Sequence, residues 1–160
     1  MITALFYLAG LGNIVGMLAL CSKDILRLFE GYLGLLQGTG ISGGLVGAEM
    51  TLPNIYPTVF SPEGCFCVIL WGLAYIGCAK KYRQMPLLCL VFCLETVFYT
   101  LTWIDWNHAN TLRLAQITKE SPLIGSFFAN YGLFDGACAA MFFFAFLIAV
   151  TSSEPKVKTQ

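Results

Sequence analysis

The sequence predicts an all-α fold, a polytopic membrane protein whose single domain is a bundle of four transmembrane helices with a long ordered first outer loop. Three observations predict it. Hydrophobic residues make up 58% of the 160 residues and charged residues only 11%, against about 25% charged in a soluble domain. The mean hydropathy is +0.74. The ionisable residues are confined to a few clusters, and four of the gaps between them are long enough for a bilayer-crossing helix, which needs roughly 20 mostly apolar residues.

The first span, residues 2–21, lacks the basic n-region and the small-x-small site of a cleaved signal peptide ahead of Ser22, so it is expected to stay as a helix. The loop that follows, 22–61, has three parts. In "SKDILRLFEGYLGLLQ" a polar stripe of Asp24, Arg27, Glu30 and Gln37 opposes Ile25, Leu26, Phe29, Leu33 and Leu36, the pattern of a short helix at the interface. "GYLGLLQGTGISGGLVGA", 31–48, carries no charge but seven glycines, and is expected to be a loop or re-entrant segment. The three prolines of "TLPNIYPTVFSPEG" exclude a continuous helix there and suggest an extended, ordered lid.

The second span is placed at 62–79, the third at 85–104 and the fourth at 124–150. The fourth exceeds the bilayer thickness and is expected to tilt or to begin outside the hydrocarbon. Between the third and fourth, the outer loop 105–123 opens with Trp106, just past Trp103 in the third span, two indoles at interfacial depth, and has room for a short helix from Thr111 to Thr118.

Lysine and arginine in short loops set orientation. "KKYR" at 80–83 is the densest basic cluster, so that turn, both termini and the tail 151–160 are expected to be cytoplasmic. The closing "KVKTQ" fits K-x-K-x-x, with Lys156 and Lys158 in the two lysine places, and resembles the dilysine retrieval signal of endoplasmic-reticulum membrane proteins. That resemblance implies the endoplasmic reticulum for a eukaryotic chain; a bacterial one belongs in the inner membrane. Nine basic residues balance nine acidic ones, so there is no basic surface for nucleic acid to follow.

Chemistry is sparse. Among seven cysteines there is no C-x-x-C pair, and Cys89 and Cys93, at i and i+4, have no histidine beside them. Neither metal nor cofactor is expected, and the cysteines are read as small apolar packing residues. The one histidine, His108 in "DWNHAN", is read as interfacial, although Asp105, Asn107 and Asn110 surround it in sequence. No nucleophile elbow and no phosphate-binding glycine loop occurs.

The polar residues inside the spans say more. Glu95 sits at the middle of the third span, Asp135 lies within the fourth and Asn13 at the centre of the first. Such groups cost a few kcal/mol in hydrocarbon and face a bundle interior, where they find partners. Tyr99 stands one turn after Glu95 and Tyr131 one turn before Asp135, so each acid has a phenol within helical reach. No lysine or arginine lies within the hydrocarbon to neutralise either acid.

Glu95, Asp135, Tyr99 and Tyr131 are therefore the candidate reactive residues, and Asn13, Trp71 and Tyr75 the candidate contacts to a substrate. In a structural reading Glu95, Asp135, Asn13 and Tyr75 form an interhelical hydrogen-bond knot, with Gly10, Gly12, Gly16, Gly132, Gly136, Ala139 and Ala140 letting the helices close around it. The packing surfaces, including "MFFFAFL" at 141–147, are plainer than any reactive constellation, which favours a non-enzymatic accessory or scaffold subunit of a larger membrane assembly. The alternative is a small membrane-embedded enzyme or carrier for an apolar small molecule, with Glu95 and Asp135 as proton-exchanging groups. Partners in either case are the lipid bilayer and other membrane subunits or an apolar small molecule.

Overall fold

A computed structural model describes residues 1–21 and 52–152. The expectations for 22–51, namely the interfacial helix and the glycine-rich stretch 31–48, and for the "KVKTQ" tail lie outside these residues. The described residues are all-helical, without a strand. Their order is α1 (Ile2–Cys21), the short α2 (Leu52–Ile55) and α3 (Pro57–Phe60), α4 (Pro62–Cys78), a 3-10 turn (Tyr82–Gln84), α5 (Pro86–Ala109), α6 (Thr111–Glu120) and α7 (Pro122–Ser152).

Among the described residues, three helices are long and apolar enough to cross a membrane: α1, α5 and α7. The fourth apolar helix, α4, has 17 residues, or about 25 Å at 1.5 Å per residue. The 31 residues of α7 come to about 46 Å by the same rise. Past Ile104, α5 continues through "DWNHA" to Ala109.

Proline sets most of the starts. Pro57, Pro62, Pro86 and Pro122 each open a helix, where a missing N–H costs nothing because the first turn has no partner for it. The residues before them are turned out of the α region, as at Tyr56 (φ −139°, ψ 72°) and Ser121 (φ −142°, ψ 90°). The Ser61 hydroxyl also caps α4, accepting from the Gly64 N–H at 3.0 Å. The segment entering α4 is therefore not the extended lid its prolines suggest. It is two single helical turns, because proline tolerates the first position of a helix and excludes only the interior.

Two helix pairs carry the packing, α1 against α4 and α5 against α7, with α6 folded onto α7. At the first crossing the backbones nearly touch: a Cβ on Gly10 would stand 2.5 Å from the Gly72 carbonyl oxygen, and one on Gly72 would stand 2.6 Å from that of Gly10. In the second, the Trp103 indole lies on Gly132 and its Nε1–H donates to the Phe128 carbonyl at 2.8 Å. Asn107 donates to the same carbonyl at 3.1 Å.

The outward faces are as apolar as the inside. Leu87, Val91, Leu94, Phe98 and Leu101 form an exposed stripe along α5, and Leu133, Phe144 and Leu147 are exposed on α7. Among the described helices only α6 is amphipathic in the ordinary sense, burying Ile117 and exposing Arg113, Gln116 and Lys119. The interior divides into two clusters. One gathers Met17, Phe60, Val68, Trp106, Phe128 and Tyr131, the other Phe6, Tyr75, Tyr82, Phe92, Cys138 and Phe142.

Candidate intramembrane cavity

Against the first cluster, at the level of residues 12–17 of α1, 95–99 of α5 and 127–135 of α7, lies a cavity of about 330 Å³. Its polar lining is Asn13, Glu95, Tyr99, Asn130, Tyr131 and Asp135. Its apolar lining is Met17, Phe60, Val68, Phe127 and Phe134, with Gly12 and Gly16. Among the described residues no lysine, arginine or histidine is part of it. The size falls at the lower end of small-molecule pockets, about 300–1,000 Å³, and the make-up, mainly apolar with a few convergent polar groups, is that of such pockets.

Helical periodicity brings these residues to one place. On α7, Phe127, Tyr131, Phe134 and Asp135 are spaced i, i+4, i+7 and i+8, one stripe of a 3.6-residue helix. On α5, Glu95 and Tyr99 are one turn apart; on α1, Gly12, Asn13, Gly16 and Met17 are adjacent along one face. A Cβ built on Gly16 meets nothing within 4 Å, so glycine there leaves open space.

The bonds within the site differ from the one-turn acid–phenol pairs. Glu95 is joined to Tyr75 of the facing helix α4, whose hydroxyl donates to Glu95 Oε2. Tyr75 is buried, with 1% of its surface exposed. Tyr99 makes no hydrogen bond to Glu95, and its ring lies edge-on to Phe98 instead. The Tyr131 side chain does not reach Asp135, because helix side chains lean toward the N-terminus. It stacks on Phe127, with ring centroids at 5.1 Å and planes at 15°. Its hydroxyl is buried without a hydrogen-bond partner among the described residues.

Of the other sequence candidates, Asn13 lines the cavity and Trp71 does not; Trp71 stands edge-on to Phe92 in the neighbouring cluster, 6.1 Å between centroids. Asn13, Glu95, Tyr99, Tyr131 and Asp135 are thus together, and Tyr75 touches the group through Glu95. His108 is exposed on the last turn of α5. Its sequence neighbours face elsewhere, Asn107 to the Trp103 and Phe128 carbonyls and Asn110 to that of Trp106. Cys67 is exposed, whereas Cys65, Cys78, Cys89, Cys93 and Cys138 are buried. Among the described residues no group of histidine, cysteine and carboxylate side chains is placed to hold a metal ion.

Asn130 and the aromatic wall of Phe60, Phe127 and Phe134 were not among the sequence candidates. The α7 stripe was visible as spacing, whereas Phe60 reaches the cavity only through the fold of α3. No protein-family model, curated protein or solved structure matches the chain.

Proposed function

We propose that the chain is an integral membrane protein of four spans, α1, α4, α5 and α7, that takes an apolar small molecule into the cavity between them. Glu95 and Asp135 act there as the proton-exchanging groups of a small enzyme or carrier. The observation that carries this reading is the convergence of both intramembrane carboxyls, Asn13, Asn130 and two tyrosines on one cavity otherwise walled by hydrocarbon and aromatic rings. An acid that serves only to clamp helices is expected in a closed contact, as Glu95 has with Tyr75. Asp135, with no hydrogen bond to another side chain among the described residues, lacks such a contact. The accessory-subunit reading rests on the outward apolar surface, which lipid alone satisfies.

The test is saturable photolabelling of the purified full chain in micelles with an apolar diazirine probe. Wild type is expected to be labelled at Met17, Tyr99 or Tyr131, and Gly16→Leu, which fills the cavity, is expected to suppress those labels while leaving lipid-facing labels such as Leu94 in place. Equal, unsaturable labelling of wild type and Gly16→Leu would overturn the reading. Glu95→Gln and Asp135→Asn then separate binding from proton exchange.

A further inference from the structure

The hydrogen-bonding capacity left over in the cavity specifies its occupant further. One oxygen of Glu95 takes the Tyr75 hydroxyl, which leaves the other open. Asp135 keeps its oxygens. Asn130 gives one amide N–H to the Ser126 carbonyl at 2.8 Å and keeps its other N–H and its own carbonyl. The Tyr131 hydroxyl, on a side chain only 8% exposed, has no partner among the described residues. That hydroxyl is closed off from the open space, so only the ring of Tyr131 belongs to the wall. The lining thus offers two carboxyl groups as acceptors, and among the described residues it holds no basic side chain.

The rest of the wall is aromatic. Phe60, Tyr99, Phe127, Tyr131 and Phe134 surround the space, and ring faces attract positive charge, the more so where water is excluded. A neutral hydrocarbon would satisfy the apolar wall and leave every acceptor unmatched. An anion would meet two carboxyls and, among the described residues, no basic side chain.

We propose that the occupant is a lipophilic organic cation, a protonated amine carrying an apolar body, whose N–H is received by Glu95 and Asp135 and whose body lies against the aromatic wall. This inference rests on the small-molecule reading above. It names the ligand class that reading leaves open.

The experiment compares two isosteres, N,N-dimethylbenzylamine, protonated at neutral pH, and isobutylbenzene, by calorimetric titration of the full chain in detergent micelles against empty micelles. The amine is expected to bind at least tenfold more tightly. Glu95→Gln combined with Asp135→Asn is expected to bring the ratio of the two affinities to about one, with helical content and melting temperature checked to show that the variant folds. Equal binding of the two probes to wild type would overturn the cation inference and leave the apolar-ligand reading standing. Binding of neither probe would overturn both.

Discussion

Tyr75 and Tyr131 are both buried phenols beside the same cavity, yet their hydroxyls are in opposite situations. Tyr75 donates to a carboxylate on another helix, and interhelical hydrogen bonds of this kind in membrane proteins contribute about 0.6–2 kcal/mol. Tyr75→Phe leaves Glu95 without its partner and is expected to lower stability by about 1–2 kcal/mol, read as a fall in melting temperature in micelles. Tyr131→Phe removes an unpaired hydroxyl. For the ligand-free protein it is expected to be neutral or to raise stability by up to about 1 kcal/mol, because nothing is lost but an unmet polar group. Loss of stability in Tyr131→Phe equal to that in Tyr75→Phe would mean that its hydroxyl has a partner. Tyr99→Phe, with no bond from that hydroxyl to Glu95, is expected to change stability by less than about 0.5 kcal/mol on the same melting curve.

At the scale of helices, what holds the pairs together is close approach rather than exclusion of water, since lipid is as apolar as the interface. Gly10 and Gly72 make the α1–α4 crossing possible, each meeting the other's carbonyl where a Cβ would be. Gly72→Leu therefore drives side-chain atoms into backbone and is expected to cost about 3 kcal/mol or the fold itself. Gly16→Leu, on the same α1 but facing open space, is expected to stay within about 1 kcal/mol of wild type, since it gains helix propensity and meets no backbone. Thermal unfolding followed by circular dichroism distinguishes the two, and a tolerated Gly72→Leu would rule out the crossing. Half of this contact was legible beforehand. Gly10 stood out in an apolar helix beside Gly12 and Gly16, whereas Gly72 sits alone in "LWGLAY", and only its partner gives it meaning. The acids were legible for a plainer reason: Glu95 and Asp135 are conspicuous in hydrocarbon. The one-turn phenols Tyr99 and Tyr131 are not their partners, because an i, i+4 rule sees one helix at a time; Tyr75, which does donate to Glu95, was named as its partner only through the interhelical knot.

For the whole molecule, the four proposed spans make a definite statement about sides. Counting crossings from α1, the turn between α4 and α5 and the end of α7 share a side with Met1, and α6 lies opposite. Lys80, Lys81 and Arg83 sit exposed in that turn, with Arg83 anchored by its Nε–H to the buried Tyr82 hydroxyl at 3.3 Å. Lys119 is exposed on α6. Basic residues in short loops stay cytoplasmic, so the proposed arrangement puts Lys80 and Lys81 inside and Lys119 outside. An impermeant amine-reactive reagent applied to intact cells is expected to label Lys119 and spare Lys80 and Lys81, and inverted vesicles should show the reverse. If α4, shorter than the other three, did not cross, Lys81 and Lys119 would be labelled on the same side as each other only with α5 also withdrawn, and from sides opposite to those expected with α5 in place. Replacing Lys80, Lys81 and Arg83 together by serine removes the bias. It should then yield both orientations, with Lys119 labelled in part from each side; a variant that keeps a single orientation would show that another segment sets it.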